Sequence, residues 1–328
     1  MNFAIGQLPL VLGMTCLCTC PGGVAADPRI REQLPVNALL PVAGGHEIIV
    51  GGQAGLLLQS WGQSQEQQKL DCPVDVVYAL KWSPDGQHLA VAGGSAGEYG
   101  QLAVLSWPSR VIRPIDVTHD DVIFDIAWRS DGKQLFCASL DGRISRVDTA
   151  EGVTVATVDA HTRGVTGACW LPGSSESLDD QLLVTCGMDN TLRVWNTEQQ
   201  FTQLRSLNNH TQPVNCLAPR LSEDGGLHIV ASAGNDRTVR FWQPRIGRMM
   251  RFVRLESPAL SLQWLTKGNL LVAGCRDGQL RIIDADRAEV VSEVAAVSPW
   301  AAAVAVADDN RRIAVGCMQG VRFLTIDD

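Results

Sequence analysis

Over residues 181–196 the chain reads Q-L-L-V-T-C-G-M-D-N-T-L-R-V-W-N, and its positions alternate on either side of a polar turn. Leu183, Thr185 and Gly187 fall on one face and Leu182, Val184 and Cys186 on the other. After Met188-Asp189-Asn190, Leu192, Val194 and Asn196 alternate with Arg193 and Trp195. A period of two around an Asp-Asn turn predicts a β-hairpin. The outline returns at residues 231–243 and 273–284, more loosely at 138–148, and faintly at 50–61 and 315–326. Aligning the second turn residue gives Gly55, Gly100, Gly142, Asn190, Arg237, Gly278 and Gly320, spaced by 41 to 48 residues. Repeats of this length with four short strands each predict an all-β propeller, and seven copies make a closed ring.

A second signal precedes the hairpins: a strand that ends in a bulky residue before a turn. It reads Leu80-Lys81-Trp82-Ser83-Pro84-Asp85-Gly86, Ile126-Ala127-Trp128-Arg129-Ser130-Asp131-Gly132, Ala168-Cys169-Trp170-Leu171-Pro172-Gly173 and Leu262-Gln263-Trp264-Leu265-Thr266-Lys267-Gly268. With these motifs the sequence resembles the WD-repeat β-propeller family over about residues 30–328. The family's closing Trp-Asp pair is degenerate, as Trp195-Asn196, Trp242-Gln243, Val147-Asp148 and Ile283-Asp284. The resemblance implies a seven-bladed ring of four-stranded antiparallel blades over residues 27–328. It also implies that residues 29–33 supply the outermost strand of the last blade, beside residues 320–326, and so close the ring. Trp82, Trp128, Trp170 and Trp264 are expected to fill the wedges between blades.

Blades four and five repeat one polar set at matching offsets: His161, Thr185, Asp189 and Trp195, then His210, Ser232, Asp236 and Trp242. His with Asp and a hydroxyl invites a hydrolase reading, because an acid-oriented imidazole can activate a nucleophile. Repetition at one offset argues against catalysis, which needs a unique constellation. In the resembling family the set is a hydrogen-bond chain joining the inter-blade loop, the hairpin turn and two strands, and that structural role is expected here. Blade three keeps His119 and Asp141 but has Cys137 and Val147 at the other positions, so its chain reads as incomplete.

Composition changes the picture at the amino terminus. Residues 1–26 hold no charged side chain, and Val24-Ala25-Ala26 precedes a charged run beginning at Asp27. The stretch is expected to be a secretory signal peptide cut after Ala26, giving a secreted or periplasmic protein, with a cytoplasmic one as the alternative. The apolar run is too short and broken for a membrane span. Seven cysteines would remain, Cys72, Cys137, Cys169, Cys186, Cys216, Cys275 and Cys317, an odd number that suits buried free thiols better than disulfides. No C-x-x-C occurs and the six histidines are scattered, so neither a metal site nor a cofactor is expected. A net charge of −8 without a Lys/Arg run argues against a nucleic-acid binder.

The resemblance implies that one rim of the ring binds a protein or peptide. Its positions carry over to Tyr78, Tyr99, Phe124, Leu140, Met188, Arg276, Trp300 and Met318, rich in the aromatics, Met and Arg that interface cores favour. The expected function is therefore a non-enzymatic interaction scaffold of open oligomeric state. A competing reading places a substrate, ligand or metal in the central channel. It needs polar groups converging at the inner-strand starts, where Asn37, Asn215 and Asp125 are the loose candidates.

Overall fold

The fold is taken from a computed structural model, which describes residues 34–62, 67–173, 181–198, 200–222, 227–266 and 269–325. The expected signal peptide and closing strand lie outside the described residues. Every described regular element is a β-strand, grouped into six four-stranded antiparallel sheets and one of three strands. In each sheet the strands lie in chain order. The innermost strands are Val36–Pro41, Val77–Trp82, Ile123–Trp128, Val165–Leu171, Val214–Arg220, Ala259–Trp264 and Ala303–Val306. Each packs beside the next and the last beside the first, so seven blades form a closed ring.

The burial pattern follows from that stacking. Second strands are covered by neighbouring blades on both faces, and Leu182–Gly187 is buried throughout. Such a strand reads as a run of apolar and small residues. Outermost strands have less cover, and Val153–Asp159 alternates exposed and half-buried positions. A single blade cannot bury both of its faces alone, so the ring is stable only as an array.

The turn alignment has a backbone cause. Gly55, Gly142, Asn190, Arg237, Gly278 and Gly320 all have positive φ, the conformation that lets the chain reverse after the second strand. Blade two departs from the expected register. Its strands His88–Ser95 and Tyr99–Ser106 stay paired out to Ser95 and Tyr99, and positive φ falls at Gly94 and Gly97, not at Gly100. The extra residues lengthen the ladder.

The four tryptophans lie at the blade seams. Each donates its indole N–H to the preceding blade: Trp82 to Pro41 O at 2.9 Å, Trp128 to Lys81 O at 3.0 Å, Trp170 to Ser130 Oγ at 3.0 Å and Trp264 to Ala218 O at 3.0 Å. Trp170 also stacks on Phe136 with ring centroids 5.2 Å apart. Farther out, Arg113, Arg205 and Arg251 on outermost strands donate to carbonyls in a turn of the next blade, at Thr149 and Ala150, at Arg245, and at Ala285 and Asp286.

Candidate protein-docking rim

The polar sets come together in both blades. His161 Nδ1 lies 2.8 Å from Asp189 Oδ1 and its Nε2 2.9 Å from Thr185 Oγ1, which also accepts the Trp195 indole N–H at 3.0 Å. Blade five repeats this with His210–Asp236 at 2.9 Å, His210–Ser232 at 2.7 Å and Trp242–Ser232 at 2.8 Å. Donor and acceptor roles run one way: indole N–H to hydroxyl oxygen, hydroxyl O–H to Nε2, Nδ1–H to carboxylate. Each Asp also accepts a backbone N–H from the inter-blade loop, Thr162 or Thr211. Thr185 and Ser232 have 0 % exposure, so neither hydroxyl faces a substrate.

Burial opposes ionisation of Asp189 and Asp236, but the bonds and charge of His161 and His210, together with the donors of Thr191 and Thr162 and of Thr238 and Thr211, outweigh it and hold both carboxyls well below the usual range. Blade three has a chain that the sequence did not reveal: His119 bonds Asp141 at 2.9 Å and Ser145 Oγ at 2.8 Å. Blade six replaces the histidine altogether. Arg281, only 3 % exposed, pairs with Asp277 at 2.9 Å and Glu293 at 2.8 Å.

On the same side as these turns, one hydrogen bond recurs. The N–H at the end of the second strand, or just past it, donates to the carbonyl before the innermost one: Gln53 to Pro35, Gly94 to Val76, Leu140 to Val122, Met188 to Gly164, Asn235 to Pro213 and Arg276 to Pro258. This sets Leu140, Met188 and Arg276 at equivalent places on one rim, all half-buried. Met318 likewise follows the second strand of blade seven, Arg312–Cys317. The N–H of Ala301 donates to Cys275 O at 3.1 Å, which holds the segment beside Trp300 against the strand that ends next to Arg276.

Just inside this rim the innermost strands share a β-bulge. In the first six blades pairing with the second strand slips once each, at Asn37, Tyr78, Phe124, Thr166, Asn215 and Leu260. A bulge re-aims the side chain it carries. Three of these residues donate to the first residue of the next innermost strand: Asn37 Nδ2 to Val77 O at 3.2 Å, Thr166 Oγ1 to Val214 O at 2.6 Å and Asn215 Nδ2 to Ala259 O at 2.8 Å. Between them Tyr78 and Phe124 pair through their rings at 5.6 Å. Tyr99 is 42 % exposed and donates its hydroxyl to Asp75 at 2.9 Å.

The channel candidates do not converge. Asn37 and Asn215 each bond the neighbouring strand, and Asp125 accepts the N–H groups of Ile126 at 2.9 Å and Ala168 at 3.0 Å. Burial raises the Asp125 pKa, against the pull of Lys81 and those two donors. Among the described residues no group of three or more His, Cys, Asp or Glu side chains could hold a metal ion.

The model of the WD domain, G-beta repeat, matches residues 64–97, 112–145, 152–196 and 201–243, stretches that hold the innermost and second strands of blades two to five. The chain belongs to the WD-repeat β-propeller family. A model of the anaphase-promoting complex subunit 4 WD40 domain covers residues 253–319 of this WD-repeat chain. "Cell division cycle 20.1, cofactor of APC complex" of Arabidopsis thaliana is 28 % identical over 214 residues, 62 % of this chain and 44 % of that protein. "B-type cell cycle switch protein ccs52B" of Medicago truncatula is 26 % identical over 260 residues, 77 % and 49 % of the two chains. "Anaphase-promoting complex subunit cdc20" of Dictyostelium discoideum is 28 % identical over 210 residues, 61 % and 38 %. The matched stretch is less than half the length of each of these curated relatives.

These relatives correct the expectation of export. They carry the names of cell-cycle and anaphase-promoting-complex proteins, which do not fit a secreted or periplasmic chain, and the cytoplasmic alternative agrees with them better. The expectation rested on an uncharged apolar run and the small residues before Asp27, and that run lacks the positive residues that start a signal peptide. All seven described cysteines are free.

Proposed function

We propose that this WD-repeat propeller is a non-enzymatic scaffold that binds a protein or peptide on the rim bearing Tyr78, Phe124, Met188, Arg276 and Trp300. One observation carries this reading: at that rim, Asn215 Oδ1 and Arg276 Nε are buried with no hydrogen-bond partner. Both belong to one network, since Asn235 Oδ1 accepts from Asn215 Nδ2 at 3.1 Å and from Arg276 Nη2 at 3.0 Å. A buried donor and acceptor left open cost stability, and a peptide backbone that reached them as the rim side chains moved aside would offer both complements. The Tyr78–Phe124 pair gives the ligand an aromatic surface beside them. Two relatives named as a cofactor and a subunit of a complex support an assembly duty over a catalytic one.

The test is to isolate what co-purifies with the tagged chain and then measure its affinity for purified variants. Arg276→Ala and the pair Tyr78→Ala with Trp300→Ala are each expected to weaken binding at least about tenfold, the range of a hot-spot truncation. Full affinity in both variants overturns the rim as the binding face.

A further inference from the structure

The net charge of −8 hides a local reversal. Residues 237–254 hold six of the 27 basic residues, Arg237, Arg240, Arg245, Arg248, Arg251 and Arg254, and no Asp or Glu. They are spaced three to five positions apart, so no run is visible in the sequence, yet the fold gathers them on blade five. Its outermost strand, Arg248–Arg254, exposes Arg248, Arg251, Phe252 and Arg254. The N–H of Leu255 donates to Arg237 O at 2.8 Å, which ties Arg254 beside the rim turn that carries Arg237. Arg240 pairs across the sheet with Phe252 and holds its guanidinium 5.5 Å over that ring. Asp236 answers Arg240 at 3.6 Å and Asp286 answers Arg251 at 3.8 Å, whereas the side chains of Arg237, Arg248 and Arg254 bond nothing among the described residues.

This strand is the last of its sheet, so half of its backbone groups face outward without a ladder. Charges often guard such edges, and either sign would do: the outermost strand of blade six, Glu289–Ala295, carries Glu289 and Glu293. Among the described outermost strands only Arg248–Arg254 combines three like charges with an exposed aromatic ring, Phe252 at 49 %. The stripe is roughly 20 Å long, one strand's length. That length, the open backbone and the acidity of the remaining surface all favour a short acidic peptide over a phosphate polymer.

We infer that the outer edge of blade five takes an acidic segment of a partner protein as an added strand, its carboxylates on Arg237, Arg248 and Arg254 and an apolar side chain on Phe252. The surface adjoins the rim proposed above at Arg237 but does not depend on binding there. Phe252 and Arg254 share one face of the strand, so the test uses the full chain and a fluorescent Glu-Val peptide of roughly ten residues in which Glu-Glu and Val-Val pairs alternate, giving each face both side chains over an added strand's length. A Lys-Val peptide and a single-stranded thymidine oligonucleotide serve as comparisons. Binding of the Glu-Val peptide is expected to fall at least about tenfold in the exposed-site variant Arg248→Glu with Arg254→Glu, and with added salt. It is expected to weaken when alternate peptide nitrogens are methylated, and to be unchanged by Tyr78→Ala with Trp300→Ala. No binding, equal binding by the Arg248→Glu, Arg254→Glu variant, or insensitivity to methylation overturns the proposal. Tighter binding of the oligonucleotide at the same arginines also overturns it, in favour of a nucleic-acid surface.

Discussion

His119 finds its hydroxyl at Ser145 Oγ, 2.8 Å from Nε2 and on the third strand of blade three, whereas His161 and His210 find theirs on the second. Cys137 occupies the second-strand position and lies directly across the ladder from Ser145. Burial pushes its thiol up to about 12, against a hydrogen bond from Ser145, so it stays a neutral small side chain.

Ser145→Ala would leave His119 Nε2 buried without a donor. The expected cost is about 1–3 kcal/mol, read from urea denaturation. Cys137→Ser in that background puts a hydroxyl where blades four and five carry theirs, and part of the loss should return. A double variant no more stable than Ser145→Ala would mean that the bond to His119 contributes little.

Much of this was legible along the chain because the signals are local. The hairpin turns and the four seam tryptophans follow from residues a few positions apart, and the two full polar sets from one spacing repeated in blades four and five. What escaped depends on the partner strand. Ser145 is four positions beyond Asp141, an offset that neither complete set uses, and only the pairing of Cys137 with Ser145 brings it to His119. Arg281 was missed for the same reason, since it answers Glu293 on the adjacent strand. The arginines of blade five form no run in sequence. The six bulges could be found only in the ladders, because nothing distinguishes Tyr78 or Leu260 as a residue left unpaired.

Trp170 separates packing from hydrogen bonding at a seam. It is 8 % exposed, stacks on Phe136 and donates to Ser130 Oγ. Trp170→Ala is expected to cost roughly 3–5 kcal/mol by emptying the seam. Trp170→Phe keeps much of the stacked area but loses the donor, and should cost about 1–2 kcal/mol. Equal losses in thermal unfolding would show that the seam tolerates no ring but an indole.

Acid should loosen the ring in two steps. Burial lowers the His161 pKa, against the pull of Asp189, so the unfolded chain binds this proton before the folded one does. Asp141, Asp189 and Asp236 are likewise held low in the fold, by donors that outweigh burial. Both kinds of group therefore give their full contribution above the unfolded pKa and lose it as pH falls through the folded one. Stability should decline gently below about pH 6.5 and more steeply below about pH 4, measured as the denaturant midpoint. Asp189→Asn should start lower at neutral pH and lose less across the acidic step; a curve parallel to the parent's there would exclude Asp189 from that step.

Gly278 and Gly320 hold the same turn position, with φ of +80° and +103°, yet they should respond differently to a side chain. Any L-residue at such a φ is strained by about 1 kcal/mol. At Gly320 nothing lies within 4 Å of the added Cβ, so Gly320→Ala should cost little beyond that strain. At Gly278 the Cβ would stand 2.0 Å from Val297 O, a backbone atom. That carbonyl cannot retreat freely, because Val297 and Ala296 both donate their N–H groups to Gly278 O at 3.1 Å. Gly278→Ala must therefore break the link that leads from blade six to blade seven, and a loss of more than about 3 kcal/mol is expected. If the two variants unfold at the same temperature, the connection between these blades is looser than its hydrogen bonds imply.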